Sequence, residues 1–148
     1  MTRAAGSRKQ ESGNEPVVYS LTAEYGIVSE GAIQSYRGLR VWQGAVDLVE
    51  AVYHASRSFP ADERFGLTSQ IRRAAVSVPS NIAEGWARAS KGEYVQFLRH
   101  AHGSLREAKT QWLLAQRLGY TGADATMDLE RQSQTIGRQL IALMRALR

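Results

Sequence analysis

Cysteine is absent from all 148 residues. Its absence excludes disulfides and thiolate metal sites, and it suits a reducing cytoplasm. Long apolar runs are missing too: no stretch nears the roughly 18 uninterrupted apolar residues that a membrane span needs. The opening MTRAAGSRKQ has no apolar run behind its basic residues, so it does not read as a secretory signal. A cytoplasmic protein without membrane contact is the expectation. What the chain does contain, 43% hydrophobic and 22% charged residues, is the profile of one domain long enough to bury a core.

The charge is uneven. Formal net charge is +5 and the isoelectric point is near 9.9. Residues 1 to 36 hold Arg3, Arg8 and Lys9 against Glu11, Glu15, Glu24 and Glu30, a balance of −1, which leaves +6 on the remainder. A basic body attracts polyanions before any specific contact forms.

Residues 1 to 16 are polar and small and cannot bury enough surface to offset the entropy of ordering them. Residues 17 to 36, VVYSLTAEYGIVSEGAIQSY, carry apolar residues but are cut by Gly26 and Gly31 and keep neither helical nor strand period. Residues 1 to 36 therefore read as an N-terminal extension, either disordered or ordered by a partner, ahead of a domain over 37 to 148.

From Leu39 onward the pattern is helical, in four blocks. In the first, Trp42, Ala45, Val49, Val52, Ser56 and Phe59 step by three and four, with Val46, Leu48 and Tyr53 widening the face. Phe59-Pro60 ends it, and Asp62 and Glu63 are expected in the first turn of the second block, where the helix dipole favours carboxylates. The third opens on Ser90 with Glu93 three residues on, a capping-box pattern. Tyr94, Leu98, Ala101, Leu105, Ala108, Trp112 and Ala115 form its seam, and Gly119 suits its end. The fourth begins near Ala123, with Leu129, Ser133, Ile136, Leu140, Leu143 and Leu147 on the same spacing. Short connections force sequential neighbours to be antiparallel. The predicted fold is all-α: an up-down-up-down four-helix bundle.

The second block sets a puzzle. Its stripe Leu67, Ile71, Ala74, Val78, Ile82 and Trp86 keeps phase across Pro79, which argues for one kinked helix. Pro79 cannot donate to the carbonyl of Ala75, at a cost of roughly 3 kcal/mol in a regular helix. Ser77, Ser80 and Asn81 surround the break and can bond to nearby backbone. Asn81 with Glu84 also has capping-box spacing, so a helix restarting at Asn81 is the alternative. Arg73, Ser77, Asn81, Glu84 and Arg88 share the opposite face. That face is either a recognition or subunit surface or a solvated side that repairs the kink.

The segments VWQGAVDLVEAVY, Phe59-Pro60, GLTSQIRRAAVSVPSNIAEGWAR from Gly66 to Arg88, and EYVQFLRHAHGSLREAK from Glu93 to Lys109 carry a resemblance. Together they closely resemble the 23S rRNA intervening-sequence protein family, also called four-helix bundle proteins. The resemblance covers residues from Tyr36 onward and implies a bacterial four-helix bundle assembled as a ring-like homopentamer. More distantly the chain is similar to the accessory variability determinants of diversity-generating retroelements, pentamers that bind nucleic acid and a reverse transcriptase. Residues 1 to 36 depart from the family's usual start.

The basic residues also form rows. Arg99, His102, Arg106 and Lys109 step by three, four and three along the third block, and Arg131, Arg138 and Arg145 repeat every seven in the fourth. Such rows serve either as solvated faces or as tracks for phosphate. Trp42, Trp86, Trp112 and Tyr94 lie on apolar seams and read as core, not as base-stacking platforms.

Catalysis finds no support. His100 and His102 are two apart and point to different sides of a helix. No glycine loop cradles phosphate, because Gly85, Gly92 and Gly103 read as packing or helix-end residues. Asp62, Glu63, Glu84, Glu93 and Glu107 have no spacing that specifies paired acid and base roles. The expectation is a noncatalytic oligomer, without metal or cofactor, that binds nucleic acid, RNA rather than DNA. Arg99, Arg106, Lys109, Arg131, Arg138 and Arg145 are the expected phosphate contacts, followed by Arg72, Arg73 and Arg88. The kink residues Ser77, Pro79, Ser80, Asn81 and Glu84 are candidates for a subunit interface. The rival expectation is a scaffold whose ligand is a protein such as a reverse transcriptase, and the third is a purely structural oligomer.

Overall fold

The three-and-four periodicity from Leu39 onward becomes four helices in a computed structural model that describes residues 35–148. α1 spans Arg40–Ala55, α2 Leu67–Trp86, α3 Lys91–Arg117 and α4 Ala123–Ala146. Each packs on its neighbours in the chain and α4 closes back on α1, giving an up-down-up-down bundle. Apart from Ser35 and Tyr36, the expected N-terminal extension lies outside the described residues. Tyr36 sets its ring edge-on against Trp42 at 5.2 Å, just ahead of α1.

The seams of α2, α3 and α4 are the predicted ones, whereas in α1 Val41 and Leu48 are fully buried and the expected Trp42 and Val49 only partly. Leu48, Val52, Ile71, Val78, Ile82, Leu98, Leu105, Trp112, Ile136, Leu140 and Leu143 are buried in one core. Each side chain of this size contributes about 1.5–3 kcal/mol on full burial. Trp42 and Trp86 are half-buried against that core. Tyr53, expected to widen the buried face of α1, is instead 42% exposed, its ring covered from α2 by the long Arg72 side chain and not by an apolar one.

Helix ends follow local chemistry. α1 passes into a short turn, Ser56–Ser58, before Phe59-Pro60. The hydroxyl of Ser58 lies within hydrogen-bonding distance of the carbonyls of Ala55 (3.0 Å) and Tyr120 (2.9 Å), and Phe59 packs on Tyr120 at 5.8 Å. The two connections at this pole are thus laced together. Asp62 and Glu63 do not stand in the first turn of α2. They belong to a separate turn, Ala61–Glu63, and α2 begins at Leu67. Glu63 nonetheless serves the helix start: its carboxylate Oε2 accepts from the Leu67 N–H at 2.7 Å.

At the start of α3, Ser90 Oγ accepts from the Glu93 N–H at 3.2 Å. At its end Gly119 has φ +77°, and the amides of Gly119 and Tyr120 bond back to Gln116 O (3.0 Å) and Ala115 O (2.9 Å). This is a Schellman closure, and glycine is the residue that adopts that φ without strain.

α2 runs unbroken through Pro79. Asn81 does not restart a helix. Its Nδ2 donates backwards to Ser77 O at 2.7 Å and lies 2.9 Å from Ser77 Oγ, while Ser80 Oγ donates to Val76 O at 2.8 Å. These back-bonds flank the hydrogen bond that the proline cannot make. Ser104 of α3 donates to Ser77 Oγ at 2.9 Å, so the polar residues around Pro79 also tie α2 to α3.

Candidate nucleic-acid interface

The outward stripe of α3 reads Arg99, Gly103, Arg106, Thr110, Leu113 and Arg117, at alternating steps of four and three, and all six are exposed. The outward stripe of α4 follows the same rule with Met127, Arg131, Gln134, Arg138, Ile141, Arg145 and Arg148, again all exposed. A Cβ built at Gly137 would stand 3.7 Å from Leu105 Cδ2 and 4.0 Å from His102 Nε2, which fixes how α3 lies beside α4. Carrying that antiparallel register along the pair sets Arg99 level with Ile141 and Arg106 level with Gln134. The two basic rows therefore share one side of the bundle. Seven residues on a helix rise about 10.5 Å, so the cations of each row repeat at about that interval.

Few carboxylates answer them. Among the described residues the pair within 4.0 Å is Arg131 with Asp128, at 3.5 Å, with side chains 73% and 66% exposed. An ion pair this open contributes at most about 1 kcal/mol and leaves the guanidinium available. Residues 131–148 hold four arginines and no acidic side chain. Lys109 is half-buried on the side of α3 that faces α4.

His102, on that same side, is also half-buried. Burial holds its imidazole below the ordinary histidine value, and the charges of Arg106 and Lys109 push the same way.

The second group of expected contacts divides. Arg73 is exposed. Arg72 is tied into the fold: its guanidinium stacks over the Tyr53 ring at 4.5 Å, Nε donates to Ser56 Oγ at 2.8 Å, and a terminal nitrogen reaches Tyr53 O at 3.4 Å. It joins α2 to the end of α1. Arg88, though exposed, stacks over Phe97 of α3 at 4.5 Å. Of the residues around Pro79 that are candidates for a subunit interface, Ser77 and Asn81 sit in the α2–α3 seam, Pro79 itself is buried, and Ser80 and Glu84 face outward.

Sequence reasoning misread one glycine. Gly85 does pack, against Tyr94 and Phe97, and Gly92 lies in the first turn of α3. Gly103 does neither: it is exposed in mid-helix and a Cβ there would meet nothing within 4 Å. It costs about 1 kcal/mol relative to alanine with no packing to show for it. The signal was present in the sequence, a glycine between Arg99 and Arg106 on a surface stripe.

Among the described residues no cluster of three or more His, Asp or Glu could hold a metal ion, and no helix is long and apolar enough to cross a membrane. The exposed aromatics Tyr53 and Phe65 lie away from the basic rows, and each already carries an arginine. The rows therefore present exposed charge without a stacking platform beside it.

A family model described as 23S rRNA-intervening sequence protein matches residues 37–142. A solved structure from Bacteroides thetaiotaomicron VPI-5482, a protein of unknown function from the S23 ribosomal protein family, is similar in fold. It has a TM-score of 0.66 at 19% identity, over 71% of this chain and 98% of that one. No curated protein matches the chain.

Proposed function

Because the chain belongs to the 23S rRNA-intervening sequence protein family, we propose that it is a noncatalytic bundle protein that binds nucleic acid, structured RNA rather than DNA. The contact surface is the pair of basic rows on α3 and α4. One observation carries this reading: the arginines of both rows are exposed along one side and nearly free of carboxylate partners. Backbone charge and shape, not base edges, are then what it reads.

In the same reading the protein works as a homopentamer. Five bodies of +6 place about +30 on one particle, a field that draws phosphate backbones strongly and salt-sensitively. Support for a protein contact comes from Phe65, Leu113, Leu114, Leu118 and Met127, large apolar side chains left exposed toward the pole where α1 turns into α2 and α3 into α4. That same pole favours the second reading, a scaffold that docks a protein such as a reverse transcriptase and meets nucleic acid in the complex.

Titration with an RNA hairpin, a DNA hairpin and a neutral polymer across salt concentrations tests the first reading. Affinity should fall steeply with salt, by close to one logarithmic unit of slope for each phosphate neutralised. Flat or absent binding removes it. Light scattering tests the oligomer, and binding that appears only with a reverse transcriptase present would favour the scaffold.

A further inference from the structure

Arg99, His102, Gly103 and Arg106 stand at i, i+3, i+4 and i+7 on α3, the four corners of one depression on a helix surface. Two corners are cationic and exposed, one is an imidazole, and one has no side chain. The open corner is unobstructed, since nothing lies within 4 Å of where a Cβ of Gly103 would be. The imidazole corner lies beside the neighbouring helix, where a Cβ built at Gly137 would stand 4.0 Å from His102 Nε2. Glycine is the residue that lets a ligand come close to a backbone.

We propose that this depression is a seat for one phosphate of a nucleic-acid backbone, with Arg99 and Arg106 gripping it from either end, Gly103 admitting it to the helix surface, and His102 completing the grip when protonated. The seat rests on the nucleic-acid reading above and names the place where that ligand lies deepest.

The charges around His102 agree with it. On α3 its ionisable neighbours are Arg99, Arg106 and, one turn farther, Lys109. On α4 the positions one turn either side of Gly137 are Ser133, Gln134, Leu140 and Ile141, none of which ionises. The charged residues of α4 within seven positions of Gly137 are Arg138, Arg131 and Glu130. In the free protein burial, and after it the charges of Arg106 and Lys109, disfavour the protonated imidazole. A phosphate reverses that field, so binding takes up a proton from solvent onto the imidazole.

The test pairs two variants with the full-length protein and an RNA hairpin, a DNA hairpin and inorganic pyrophosphate as probes. Gly103→Leu fills the depression with a better helix former and should leave the melting temperature unchanged or raised, while hairpin affinity drops about tenfold. The wild-type protein should bind hairpin more tightly near about pH 5.5 than near about pH 7.5, with proton uptake, and His102→Gln should bind with a flatter pH profile. Hairpin affinity unchanged in Gly103→Leu overturns the seat. So does a pH profile unchanged in His102→Gln, and pyrophosphate binding as tightly as the hairpins overturns the assignment to a polymer backbone. Failure of the wild-type protein to bind hairpin at either pH defeats the parent reading instead, which keeps the two failures apart.

Discussion

A Cβ added at Gly85 would stand 2.7 Å from Cδ2 of Tyr94 and 2.9 Å from Cβ of Phe97. These two helices meet more closely than any side chain at that position allows. Gly85→Ala must therefore push α2 from α3 or turn Tyr94 off its rotamer, and it should cost about 1–3 kcal/mol despite the better helix propensity of alanine. Chemical denaturation of the two proteins measures it, and an equally stable variant would contradict the close approach.

Pro79→Ala restores a donor to the carbonyl of Ala75 and removes a ring from a buried position. The restored bond outweighs the lost contacts, so stability should rise by about 1–2 kcal/mol. Weaker assembly in the more stable variant, read by light scattering, assigns the proline to the oligomer. Unchanged assembly removes that role.

Arg72 and Arg138 should separate cleanly. Arg72→Ala loses the stack on Tyr53 and the bond to Ser56 and should cost about 1–2 kcal/mol of stability with little change in the salt slope of RNA binding. Arg138→Ala should leave stability within about 0.5 kcal/mol and reduce that slope by about 1. The reverse pattern would move the interface to α2.

These contrasts also mark what the sequence disclosed. Seam residues such as Leu98, Leu105 and Ile136 were legible because helical burial imposes a period, and the turn at Gly119 because its backbone φ suits glycine. Arg72 and Gly85 were not, since their roles depend on what faces them across a helix pair, and cross-helix register leaves no local trace. Glu63 was half legible: the carboxylate was expected at the start of α2, but it reaches the Leu67 amide from the preceding turn. For the basic rows, spacing was legible while freedom from ion pairs needed the packed helices.

Tyr94 places its hydroxyl in the core with no partner among the described residues, and burial pushes its ionisation far above the ordinary tyrosine value. Tyr94→Phe removes a desolvated group and keeps the ring, so stability should be unchanged or higher by about 1 kcal/mol. A loss of that size in thermal melts would reveal a hydrogen bond to an internal water.

His102 gives the free protein a pH dependence of its own. Its folded ionisation lies below the unfolded value of about 6.5, so the unfolded chain binds the extra proton. The associated stability is complete above about pH 6.5 and is lost as pH falls through the folded value. The melting temperature should therefore decline on mild acidification, and His102→Gln should flatten that decline. An identical decline in the variant would place its origin elsewhere.

Among the described residues the basic rows hold almost nothing of the fold together: their guanidinium groups reach few backbone carbonyls, a single exposed carboxylate, and none of the core. The skeleton and this charged flank are thus written in separate residues. Charge on this flank can be diluted, inverted or relocated by surface exchange alone, without touching the interior.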